Sequence, residues 1–129
     1  MIHPGVVVYA KDIDKVSAFY AAVTDLAVVE VEPGHVVLEG GGFQLIVVAI
    51  PSRIASTIEI SSPPEPREET PIKPIFVVHS IAAARSLAVV HGGQFNAVES
   101  EWEFHGCRVC DGHDPEGNVL QVREKARTG

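Results

Sequence analysis

The apolar positions along the first fifty residues change period twice. "GVVVYA" (Gly5 to Ala10) is a short β-rich run. In "KDIDKVSAFYAAVTDL" Val16, Phe19, Tyr20 and Val23 recur at i, i+3, i+4 and i+7, one apolar face of a helix, with Asp12 placed to cap its start. "AVVEVEPGHVVLEGGGFQLIVVAI" then returns to strand character. Turns at Glu32-Pro33-Gly34 and Gly40-Gly41-Gly42 divide it into strands over 28–31, 35–39 and 43–50. The three glycines join two strands and open no helix, so they form a hairpin and not a phosphate loop. The order predicted is β-α-β-β-β.

The pattern lapses and then returns. "PSRIASTIEI" predicts a helical turn at 53–55 and a strand at 57–60, and "SSPPEPREETPIKP", with five prolines, predicts an extended linker. "PIFVVHS" reads as a strand, Ser80 as a cap, and "IAAARSLAVVHGG" as a helix stopped at Gly92-Gly93. "QFNAV", "WEFHGCRVCDG" and "NVLQVRE" supply three more strands. Laying Ile13 on Ile81 sets Val16 on Ala84 and Phe19 on Leu87, so the order of elements and the helix pattern both repeat. The expectation is one α+β domain over 1–129: module one at about 5–50, a linker at 51–72, and module two at about 73–124.

Composition narrows the partners. A chain of 129 residues buries roughly two-thirds of its unfolded surface, enough for one good core. With 17 acidic against 10 basic residues and a net charge of −7, nucleic acid is not an expected partner. No apolar run approaches the ~20 residues of a membrane span. The opening "MIHPGVVVYAKD" lacks the basic-then-apolar layout of a secretory signal, so the expected location is cytoplasmic.

The last strand poses a question. "DPEGNVLQVRE" runs a tight turn into a strand with Val119, Gln121 and Arg123 on one face and Leu120 and Val122 on the other. A half-buried strand here places a glutamine at its centre. Two β-α-β-β-β modules ending in Asp114-Pro115-Glu116-Gly117-Asn118 resemble the vicinal oxygen chelate superfamily, the group of glyoxalase I, bleomycin-resistance proteins and extradiol dioxygenases. The resemblance covers both modules, from about Gly5 to Glu124. It implies that the strands curl into a half-open barrel whose concave side holds the site, and that the chain forms a homodimer.

The metal-dependent members place a ligand, usually His, at the start of each module's first strand and another, usually Glu, in each module's last strand. Carried over by position, those seats fall on Gly5 and Ile46 in module one and on Lys73 and Gln121 in module two. Neither Gly nor Ile ligates through a side chain, a protonated Lys repels a cation, and Gln offers one neutral carbonyl. The resemblance therefore implies a protein without the usual metal ligands and with no cofactor, in which Gln121 occupies a former carboxylate seat. By strand parity the concave face presents Val7, Tyr9, Gln44, Ile46 and Val48, then Ile75, Val77, Val119, Gln121 and Arg123. The expected ligand-binding residues are Val7, Tyr9, Gln44, Ile46, Lys73, Ile75, Trp102, Gln121 and Arg123, an apolar wall with polar handles that suits a small organic molecule.

Two alternatives stay open. One is a metal-dependent lyase, isomerase or dioxygenase drawing ligands from His3, His35, His105 or Glu39. The other is a zinc knuckle in "HGCRVCDGH", where His105, Cys107, Cys110 and His113 crowd together. Read as one strand, that segment sets Cys107 beside His105 and turns Cys110 the opposite way.

Overall fold

The computed structural model describes residues 2–125. Module one comprises β1 (Gly5–Ala10), α1 (Ile13–Val23), β2 (Ala27–Glu32), β3 (His35–Gly40) and β4 (Phe43–Ala49). A short helix α2 (Ser52–Ala55) opens the linker. Module two comprises β5 (Ile75–Val77), α3 (Ile81–Val90), β6 (Gln94–Phe95), β7 (Trp102–Phe104), β8 (Cys107–His113) and β9 (Val119–Lys125). The first sheet has the order β1-β4-β3-β2; the second runs β5-β9-β8-β6, with β7 also pairing β8. In both, the module's first strand lies parallel to its last and the remaining pairs are antiparallel. The duplication read from the sequence is thus a duplication of topology.

Local chemistry explains the element boundaries. Asp12 accepts the Lys15 amide at 3.0 Å and Ser80 accepts the Ala83 amide at 3.0 Å, so both helices start on the expected caps. Gly41 and Gly42 both take positive φ in a two-residue hairpin closed by Gly40 and Phe43. The apolar face of α1 is buried as spaced: Val16, Phe19, Tyr20 and Val23. The match of Leu87 to Phe19 does not carry over, because Leu87 is 40% exposed and α3 buries Ile81, Ala84 and Ala88 instead. Alanine at two of these places lets α3 close against α1.

Two further expectations are corrected. No strand forms over 57–60; the Thr57 and Ile58 amides turn back onto the carbonyls of Ile54 and Ala55 and prolong α2. "WEFHGCRVCDG" is not one strand but a hairpin of β7 and β8, turning at His105 and Gly106, both with positive φ. "QFNAV" supplies only the two residues of β6 before a 3-10 turn at Val98–Ser100.

The helices share one core with both sheets. Val8, Ala10, Val36, Leu38, Leu45 and Val47 face it from the first sheet; Phe76, Val78, Cys110, Leu120 and Val122 face it from the second. Each sheet therefore turns its other face, here called outer, away from the core. Among the described residues the sheets share no hydrogen-bonded ladder, and β1 and β5 each lie at a sheet edge.

The "DPEGN" turn fastens the modules together. Asp114, fully buried, accepts hydrogen bonds from the Glu116 amide (2.8 Å), the Asn118 amide (3.0 Å), the Asn118 side-chain amide (2.9 Å) and the hydroxyl of Tyr20 on α1 (2.9 Å). Glu116 reaches past the turn and accepts the amides of Lys11 and Asp12, at 2.7 and 2.8 Å, just before α1. Burial, with the Asp114 carboxylate beside it, holds the Tyr20 phenol well above its ordinary pKa. Removing a buried acceptor strands its donors, at about 1–3 kcal/mol each when unpaired. Asp114→Ala should therefore lower unfolding free energy by roughly 3 kcal/mol or more, and Tyr20→Phe, which leaves three donors in place, by about 1–2 kcal/mol. Urea titrations of the two variants check both the order and the size.

Candidate functional site

Strand register assigns the side chains of the two outer faces. On the first sheet, Val7 pairs with Ile46, Tyr9 with Val48, and Gln44 with Glu39, all on the face opposite Leu45 and Val47. On the second, Ile75 pairs with Gln121, Val77 and Val109 with Arg123, and Trp102 with Val109. The nine expected residues thus all lie on or beside outer faces, but in two groups. Val7, Tyr9, Gln44 and Ile46 belong to one sheet; Lys73, just before β5, with Ile75, Trp102, Gln121 and Arg123, belongs to the other. The helix layer separates the groups within one chain.

The second group is held by a chain of polar contacts. Lys73 Nζ donates to Asp111 Oδ2 at 2.7 Å, Gln121 Nε2 donates to Asp111 Oδ1 at 3.0 Å, and Arg123 Nε donates to Gln121 Oε1 at 2.8 Å. The Arg123 guanidinium also lies over the Phe104 ring, 5.2 Å from its centroid. Gln121 is 8% exposed and has both ends of its amide engaged, so its orientation is fixed by its neighbours.

Beside this chain lies a cavity of about 340 Å³, walled by Pro66, Glu68 and Thr70 of the linker and by Lys73, Asn96, Asp111, His113 and Val119. His113 Nδ1 lies 3.0 Å from the Asp114 carbonyl. A carbonyl only accepts, so Nδ1 donates in this bond. A larger open cleft of about 1120 Å³ runs between the start of α1 and residues 60–64. Its Glu116 carboxylate is already bound to two backbone amides, so that cleft is shaped by the module seam.

Asp111 and Asn96 were not among the expected site residues, and His113 entered only as a candidate zinc ligand. The register of β8 against β9 sets Asp111 directly across from Gln121. Alternation along "CRVCDGH" carries that signal once the turn at His105-Gly106 sets the start of β8.

The four positions carried over from the metal-dependent proteins have defined surroundings in the structure. A Cβ added at Gly5 would lie 1.8 Å from the Gln44 carbonyl oxygen, so no side chain stands there without moving the main chain. Ile46 is apolar, Lys73 is paired with Asp111, and Gln121 is committed at both ends. Among the described residues no three His, Cys, Asp or Glu side chains are grouped to hold a metal ion. Cys110 is buried on the core side of β8, its thiol pKa pushed up by burial, while Cys107 lies on the other side.

A buried carboxylate fixes the β7 hairpin that carries Trp102. Glu101, with a side chain 5% exposed, accepts bonds from Arg85 and from Arg108 Nε (2.6 Å). Burial acts to raise its pKa, but the Arg85 and Arg108 bonds outweigh that and hold it below the ordinary glutamate value.

The fold is that of the glyoxalase/bleomycin-resistance proteins. Among solved structures it resembles a glyoxalase/bleomycin resistance protein/dioxygenase family enzyme from Burkholderia phytofirmans PsJN, with TM-score 0.66 and 21% identity over 93% of this chain and 95% of that one. A bleomycin resistance determinant encoded on the transposon Tn5 aligns with TM-score 0.61 and 16% identity over 97% and 98% of the two chains. A bleomycin-binding protein complexed with bleomycin aligns with TM-score 0.57 and 17% identity over 97% and 98%. No family model and no curated protein matches the sequence.

Two outcomes follow from these packed positions. Gly5→Ala should destabilise the fold by about 1–3 kcal/mol, the usual range for overpacking, as measured by thermal unfolding. Because the folded-state pKa of Glu101 is depressed, its contribution is present above the unfolded glutamate pKa and lost as pH falls through the folded value. Acidification below the ordinary glutamate range should therefore loosen the β7 hairpin and shift Trp102 fluorescence. Glu101→Gln should cost about 2 kcal/mol near neutrality and abolish that acid step.

Proposed function

We propose that this protein binds a small organic molecule without a metal ion, in a pocket made from outer-face residues. The observation that carries the reading is the fate of the four metal seats. Gly5 has no room for a side chain, Ile46 is apolar, and Lys73 and Gln121 are tied into a hydrogen-bonded chain with Asp111 and Arg123. Around that chain lies apolar surface open to a ligand. Val77 is 73% exposed, and Ile75, Trp102 and Phe104 are also exposed.

The reading includes a homodimer. The two groups of site residues face away from a common core, so only a second copy could bring Val7, Tyr9, Gln44 and Ile46 opposite Lys73, Ile75, Trp102, Gln121 and Arg123. The edge positions of β1 and β5 leave both groups accessible.

Trp102, the one tryptophan of the chain, reports on the site directly. Titrating cationic, neutral and anionic aromatic compounds, bleomycin among them, should give at least one saturable change in Trp102 fluorescence. Elemental mass spectrometry should find less than about a tenth of an equivalent of Zn, Fe, Ni or Mn, and light scattering should give twice the chain mass. One tightly held metal ion per chain would overturn the metal-free reading and return attention to the histidines. A strictly monomeric protein would overturn the shared pocket.

A further inference from the structure

We infer that the ligand taken by the second sheet's outer face is an apolar organic acid, its carboxylate received by Arg123. This rests on the small-molecule reading above and narrows it to a chemical class.

The argument starts from the balance of charges. Arg85 and Arg108 are both satisfied by Glu101, and Lys73 by Asp111. Arg123 has no carboxylate partner among the described residues, in a chain whose acidic side chains outnumber its basic ones 17 to 10. Its nearest polar neighbour is the neutral amide of Gln121. That amide takes the Nε proton, and the guanidinium lies over Phe104, so the group is oriented on two sides. Among the described residues its terminal nitrogens make no hydrogen bond. A guanidinium held by Nε and stacked on a ring, with its terminal fork unengaged, is arranged for bidentate recognition of a planar anion.

The neighbours define the rest of the ligand. Trp102, Phe104, Ile75 and Val77 supply exposed apolar surface on the same face. They would cover a hydrocarbon or aromatic body but not a phosphate or sulfate ion alone. The acidic residues that could instead serve Arg123 from a second copy are mostly engaged at home. Glu39 accepts from Gln44 at 2.8 Å, and Glu30 is paired with His35 at 2.6 Å.

Position 121 gains a physical reason from this arrangement. A glutamate there would pair with Arg123 Nε, cancel its charge and meet Asp111 at the other end with like charge. Glutamine keeps the same reach, relays the orientation set by Lys73 and Asp111, and leaves the cation uncompensated.

The test uses the intact protein with naphthalene-2-carboxylate and its neutral counterpart naphthalene-2-carboxamide, followed by Trp102 fluorescence and by amide shifts in NMR. The carboxylate should bind at least tenfold more tightly than the carboxamide, and more weakly as salt is raised. Arg123→Gln should erase that preference while the thermal unfolding midpoint stays near that of the parent; Gln121→Glu should erase it with a lowered midpoint, because the new carboxylate meets Asp111; Arg123→Lys should restore part of it. Equal binding of the two compounds, or an unchanged preference in Arg123→Gln, would overturn the organic-acid inference and leave small-molecule binding intact. If Arg123→Gln dissociates the dimer without changing carboxylate affinity, the charge is met by a second copy and the inference falls. If no compound of any charge perturbs Trp102, the broader reading falls with it.

Discussion

Most of this structure depends on one turn of module two holding the first helix of module one. Asp114 brings a carboxylate into full burial and surrounds it with four donors, one of them the Tyr20 hydroxyl from the other module. A carboxylate so placed is tolerable only when its acceptors are satisfied. The contact therefore specifies how the two modules meet. Glu116 adds the amides that lead into α1. Gly117, at φ +83, lets the chain turn where a Cβ would strike the carbonyl oxygen of Glu65, 2.2 Å away. The Arg67 amide then bonds the Gly117 carbonyl at 2.8 Å. The same five residues thus orient a helix, join two modules and guide the linker to where Pro66, Glu68 and Thr70 wall the cavity over the second sheet.

That constraint also decides where chemistry can occur. Because the helices and both sheets share one core, the remaining sheet faces point away from it. A cavity of about 390 Å³ brings Ile75 and Val77 of the second sheet near Leu26, Gly41 and Phe43 of module one. The edge strands β1 and β5, with their exposed valines, Ile75 and Tyr9, lie where a second copy or a ligand would cover apolar surface.

The fold was legible because its information is local and repeated. Helix α1 showed its buried face in the spacing of Val16, Phe19, Tyr20 and Val23, and the hairpin glycines and caps marked their own turns. The losses came where tertiary contact outweighs pattern. Leu87 follows the helix period of Phe19 but sits on the solvent side, since α3 approaches α1 through alanines. The β7–β8 turn uses His105 in a left-handed conformation, which a non-glycine residue seldom adopts, so no glycine pair or proline announced its start. The outer faces were readable from parity, but Asp111 was not, because its role exists only in the register between β8 and β9.

The four positions carried over from the metal-dependent proteins differ between the modules. In module one a Cβ at Gly5 would strike the Gln44 carbonyl oxygen, and Ile46 is apolar. In module two both positions are polar and paired, Lys73 with Asp111 and Gln121 with Asp111 and Arg123. A buried polar group costs free energy when unpaired. Here the described buried side-chain polar atoms all have partners. Arg123 has no carboxylate partner among the described residues, and its guanidinium is oriented by Gln121 and borders the Phe104 ring. That oriented cation lies in the same module as the paired Lys73 and Gln121.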